Sequence, residues 1–195
     1  MSLNVLVIPE DLRKDQYVLA PLVSRICAEV GKAKARVQVC TDPLLGGVSE
    51  ALKWKRIEEV IDMYPMVHVF LLLVDRDGVE GRHVAIAKVE ELAAGRLGAG
   101  RVLFGENAWQ EIEVWALAGQ DLPADWKWPD IRAELNPKEV YFEPWAKHRQ
   151  LTKEPGQGRK TMGIEAAANY DRVRSRYAED IRRLEARLAA WVGGK

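Results

Sequence analysis

Cysteine and histidine are scarce in this 195-residue sequence, with two and three copies. Cys27 and Cys40 form no CxxC pair and have no histidine nearby, so neither a zinc framework nor a disulfide scaffold is indicated. Net charge is also lacking. The 29 Lys and Arg are balanced by 29 Asp and Glu, and no global basic field announces a nucleic-acid partner. Long apolar runs are missing too. The opening "MSLNVLVIPE" has no basic n-region and its apolar run stops at Pro9, too short for a signal peptide or a membrane span. These absences predict a cytoplasmic chain without membrane association. Repeats and low-complexity tracts are absent. The glycines of "PGQGRKTMG" have the wrong spacing for a phosphate-binding Walker loop and follow no strand, so the chain has no ATPase motif of its own.

What is present is an alternation of strands and helices. "LNVLVI", "ARVQVC", "MVHVFLLLVD" and "RVLFGE" read as strands, and the third is apolar almost throughout, as a central parallel strand covered on both faces would be. Between them, "DLRKDQYVLAPLVSRICAEVGK" repeats apolar residues every four positions, with Pro21 set to kink or split the helix. "VSEALKWKRIEEVIDMY", "VAIAKVEELAAGRL" and "AWQEIEVWALAG" complete a βαβαβαβα pattern. That pattern predicts an α/β fold, Rossmann-like and three-layered, with a mainly parallel four-stranded sheet and right-handed crossovers. The expected division is a core over 1–119, then a Trp- and Pro-rich irregular segment and a long C-terminal helix over 120–195, packed on the core. Val173, Tyr177, Ile181, Leu184, Leu188 and Trp191 form one apolar face of that helix, which is expected to begin near Gly163.

Ligands of an open parallel sheet bind at the carboxyl ends of its strands. Acidic residues stand at three of the four endings: Glu10 and Asp11 after the first, Asp75 and Asp77 after the third, and Glu106 after the fourth, with Glu111 and Glu113 following. In extended chain Asp75 and Asp77 point to one side and Arg76 to the other. Two carboxylates at about 4 Å repel by about 4 kcal/mol at an effective dielectric of 20, so the pair calls for protons or a cation. With no Cys or His nearby the oxygen donors suit Mg²⁺ or Mn²⁺. Helix capping is the competing account of acids after strands, and it is the preferred one for Asp11. For Glu10 both accounts stand.

Glu10, the DxD of "LLLVDRDG" and the Glu-Ile-Glu-x-Trp helix of "AWQEIEVWALAG", in that order, resemble the TOPRIM family over roughly 3–119, in particular the small TOPRIM units similar to OLD-family nucleases and a related group of unknown function. The resemblance implies metal-dependent cleavage or ligation of phosphodiesters. Glu10 would be the first-motif acid and base, Asp75 and Asp77 metal ligands, and Glu111 or Glu113 the acid for a second ion, in the two-ion chemistry of in-line displacement at phosphorus. It also implies a separate ATPase as partner, in mobile-element or phage defence. Where many TOPRIM proteins have Glu followed by Gly, this chain has Glu10-Asp11, and the acid expected about four positions on is Asp15 or is absent.

The basic residues gather late, twelve against six acids from Lys147 to Lys195. Lys160 is the candidate for neutralising charge that develops in the reaction. Arg159 and Lys160 in the glycine-rich loop, with Arg172 and Arg176 further on, are the candidate nucleic-acid contacts. A solvated hinge and ordinary i, i+4 ion pairing are the plainer accounts of these segments. Seven tryptophans read first as packing or as an interface, such as that of a homodimer, and less readily as a base-stacking platform. Two other functions compete with a nuclease: an inactive TOPRIM-like interaction module, and a receiver-like phosphoacceptor domain, whose expected lysine after a fifth strand is not visible.

Overall fold

The computed structural model describes residues 2–194. Strand β1 (Asn4–Pro9) pairs in parallel with β2 (Arg36–Val39) on one side and β3 (Val69–Asp75) on the other, and β3 pairs in parallel with β4 (Val102–Ala108). The order is therefore β2-β1-β3-β4, an all-parallel sheet with helices on both faces, and the α/β Rossmann-like architecture follows. Strand alternation divides the interior in two. Val69, Leu71 and Leu73 of β3 join Val5 and Val7 on one face, while Phe70, Leu72 and Val74 join Leu6 and Ile8 on the other. β3 is apolar throughout because both of its faces are covered.

The second face is covered by α2 (Val48–Ala51), α3 (Trp54–Met63) and α4 (Arg82–Arg96). The single helix expected over 48–64 breaks at Lys53, whose backbone is extended. Leu52 and Trp54, two residues apart, would diverge on a continuous helix, and the break lets both lie on the same core.

The first face is covered by α1 (Leu12–Glu29), α5 (Glu113–Ala118) and the chain after Gly119. That later chain forms α6 (Trp128–Ala133), a π-helical turn (Lys138–Phe142) running into α7 (Glu143–His148), and then α8 (Arg159–Ala168), α9 (Tyr170–Arg176) and α10 (Ile181–Gly193). The long last helix is thus three helices. Asn169 turns its side chain to Gly119 O at 2.8 Å, and Asp180 caps α10 while accepting from Trp115 Nε1 at 2.9 Å, so side-chain bonds to α5 and its end hold both breaks. The apolar face survives the second break: Val173, Tyr177, Ile181, Leu184 and Leu188 are all buried in the core shared with β1 and β3, and Trp191 packs against it.

Pro21 sits inside α1 without ending it, and its missing N–H deprives Tyr17 O of the usual donor. Helix α8 packs against that carbonyl: a Cβ on Gly163 would lie 2.4 Å from Tyr17 O. Likewise a Cβ on Gly119 would lie 2.3 Å from Ala166 Cα.

Candidate metal site

β3 carries Asp75 to the carboxyl edge of the sheet, where β1 gives way to Glu10. The chain then turns through left-handed backbone at Asp77 (φ 53°) and Gly78 (φ 65°), a region Asp tolerates better than bulkier residues and Gly adopts freely. The end of β4 and the stretch after it hold this turn. Arg76 N donates to Ala108 O and Gln110 O at 3.1 and 2.8 Å, Asp77 N to Gln110 O at 3.1 Å, and Gly78 N to Gln110 Oε1 at 2.8 Å. Asp75 Oδ1 accepts from Ile112 N at 2.8 Å, and Glu10 Oε2 accepts from Asp75 N at 3.2 Å. Three strand endings are thereby fastened around two carboxylates. This role explains why helix α5 starts only at Glu113, although the sequence predicts helix from Ala108: residues 108–112 are the brace.

Carboxylate oxygens from Asp75, Asp77 and Glu111 lie within 4.8 Å of one another, and these three residues can hold a metal ion. The electrostatics fit a cation. Burial, then the charges of Glu10, Glu113 and Asp15, push Asp75 well above its ordinary 3.8. Glu10 is raised by burial above all, with Asp77 and Glu113 adding to it against the opposing bond from Asp75 N. Asp15, which accepts from Asp11 N at 3.1 Å, is raised to about 8 by burial and then by Glu113. So many buried acids with raised affinity for protons form a group that binds protons or a cation, and an all-oxygen donor set suits a hard one.

Protein cations already meet some of these charges. Arg159, 1% exposed, donates from Nε to Glu113 Oε1 at 3.0 Å and closes a second, shorter contact through Nη2. Lys138 meets Glu111 twice, through its backbone N at 2.8 Å and its Nζ at 3.2 Å. Arg82 Nη2 stands 3.5 Å from Asp77 Oδ2.

Of the residues singled out from sequence, Asp75, Asp77 and Glu111 come together, with Glu10 bonded to the backbone of Asp75. Glu113 is close enough to raise Asp75 and Asp15 but is held by Arg159. Between Glu111 and Glu113, it is Glu111 that faces the aspartates. Asp11 is the N-cap of α1, its Oδ1 accepting from Arg13 N at 2.9 Å. Lys160 is exposed on α8, and the lysine that reaches the acids is Lys138. Arg159, expected on a phosphate backbone, is instead a buried counter-ion. Arg172 donates to Gln120 O and Asp121, and Arg176 donates to Ala118 O and lies over Trp128. Those two arginines fasten α9 to the chain after α5. Lys138 and the turn-holding Gln110 gain weight only from the fold, whereas Asp15 is the acid that the resemblance looks for about four positions after Glu10.

No protein-family model, curated protein or solved structure matches the chain. Its chemistry is therefore read from the site itself. No helix among the described residues is long and apolar enough to cross a membrane.

Proposed function

We propose that the chain is a Mg²⁺- or Mn²⁺-dependent, nuclease-type protein of TOPRIM kind that acts on phosphodiesters of nucleic acid. The observation that carries the reading is the convergence of Asp75, Asp77 and Glu111 at the carboxyl edge of a parallel sheet, with Glu10 beside them. Asp75, Asp77 and Glu111 would hold the ion, which when bound supplies charge stabilisation at phosphorus. Glu10 has one oxygen fixed by Asp75 N, and burial raises its proton affinity, which suits Oε1 to accept a proton from an attacking water. Lys138, fixed on Glu111, is the cation placed to offset negative charge developing at the site. A separate ATPase partner, in mobile-element or phage defence, rests on the family resemblance alone.

A second reading, an interaction module without catalysis, draws support from Glu113: the acid that would serve a second ion is neutralised by Arg159. One assay separates the two. The nuclease reading expects Mn²⁺-dependent cleavage of plasmid or single-stranded DNA that is lost in Asp75→Ala and Asp77→Ala while circular dichroism is unchanged. No cleavage by the native chain, together with no heat of Mn²⁺ binding at millimolar metal, would leave the module as the answer.

A further inference from the structure

The turn that carries the aspartates has a second side. Arg76, between Asp75 and Asp77, leaves the acidic cluster and lines a cavity of about 470 Å³ with Arg82, Asn107, Trp109 and Arg183. Its guanidinium carbon lies over Trp109, 3.6 Å from the ring centroid. Arg76 Nη1 and Arg82 Nε, both closed off from solvent, find no hydrogen-bond acceptor among the described residues. Buried guanidinium donors without partners are costly and uncommon.

The acids around the cavity do not meet that need. Glu106 is bonded to Arg183 through both oxygens, and Glu179 is paired with Arg132. Asp180 accepts from Trp115 Nε1 and Ile181 N. Glu80 is exposed at the rim, and Asp77 reaches Arg82 only through Nη2, at 3.5 Å. The cavity thus places the Arg76 guanidinium, which none of these acids pairs, beside the candidate metal-binding carboxylates.

We propose that this cavity binds a phosphate of the nucleic-acid strand next to the one held at the carboxylates, with Arg76 as the principal contact and Arg82 as its support. The assignment rests on the phosphodiester reading for its choice of ligand, and on the Arg76 guanidinium, which lines the cavity over Trp109, for its place. The DRD turn would then position substrate with its arginine and hold the ion with its aspartates, one residue apart.

The test measures binding without metal, so that it does not depend on cleavage. Fluorescence anisotropy of a fluorescein-labelled single-stranded DNA 12-mer in EDTA is recorded across a salt series for the native chain, Arg76→Gln and Arg82→Gln, with inorganic phosphate binding followed by calorimetry. Arg76→Gln is expected to weaken strand binding about tenfold or more and to reduce the salt slope by about one. Asp75→Asn, which keeps the turn, is expected to bind at least as well as the native chain. Unchanged strand affinity and slope in a folded Arg76→Gln protein overturn the assignment. Loss of inorganic phosphate binding in that variant with strand binding intact also overturns it, in favour of a small phosphate-bearing ligand. If the native chain shows no Mn²⁺-dependent cleavage while Arg76→Gln still weakens strand binding, the pocket stands and the nuclease reading falls.

Discussion

Two buried ionisable groups show how far a side chain's surroundings decide its role. Asp15 keeps its proton to about pH 8 in the folded protein, against an ordinary value of 3.8, because burial and Glu113 oppose its ionisation. The folded state therefore holds a proton that the unfolded chain has lost, and stability is greatest below the unfolded value and falls as pH rises toward about 8. Urea midpoints in EDTA are expected to drop between about pH 5 and about pH 8, and Asp15→Asn, which still accepts from Asp11 N, to flatten the drop. Equal slopes for the two proteins would remove Asp15 as the source. Arg159 gives the opposite case. Its removal leaves Glu113 buried and unpaired among other acids, so Arg159→Ala is expected to cost about 3–5 kcal/mol, whereas its exposed neighbour Lys160→Ala should stay within about 0.5 kcal/mol. Chemical denaturation of both variants checks the contrast. Nothing in "GRK" tells these two cations apart, because the difference arises when α8 meets α5.

At the scale of elements, periodicity exposed most of what formed and little of where it stopped. The four strands are legible because each is an apolar run ended by a polar or turning residue, and Val173 through Leu188 share a face because the spacing of four and three survives the break between α9 and α10. The breaks themselves are set by Asn169 and Asp180 reaching α5 and its end, contacts between residues far apart in the chain. Likewise the brace over 108–112 carries a helix-like pattern but hydrogen-bonds to the end of β3 instead. Gly163 shows an element contact with a measurable consequence. An added Cβ would meet Tyr17 O and Val18 Cα, both backbone, so the helices must separate, and Gly163→Ala is expected to destabilise by about 1–3 kcal/mol. Gly95, in α4 with open space around it, is the control: Gly95→Ala should stabilise by about 0.5–1 kcal/mol through helix propensity. Thermal melts of the pair with opposite signs are the expected result, and a Gly163→Ala protein as stable as the native chain would mean that α1 and α8 are not so close.

For the whole molecule, the candidate site is where the fold and its charges oppose each other. Bringing β1, β3 and the chain after β4 to one edge gathers Glu10, Asp15, Asp75, Asp77 and Glu111, a concentration of acid that packing alone does not require. The carboxylates are visible in sequence because strand endings are marked, while the counter-ion roles of Lys138 and Arg159 are not, since both residues reach the acids only when the chain after Gly119 packs on the sheet. If the cluster is a cation site, metal should relieve this repulsion. At a Mn²⁺ concentration 100 times Kd, linkage gives about 2.7 kcal/mol, which for a chain of this size raises Tm by roughly 5–10 °C. Asp75→Asn keeps the bond from Ile112 N and removes one repelling charge. Without metal it should therefore melt no lower than the native chain, yet with Mn²⁺ it should gain almost none of the shift. Scanning calorimetry of both proteins, with EDTA and with Mn²⁺, tests the crossing. A native shift that Asp75→Asn retains would place the ion elsewhere, and a variant less stable in EDTA would show that Asp75 serves the fold through its charge, not a metal.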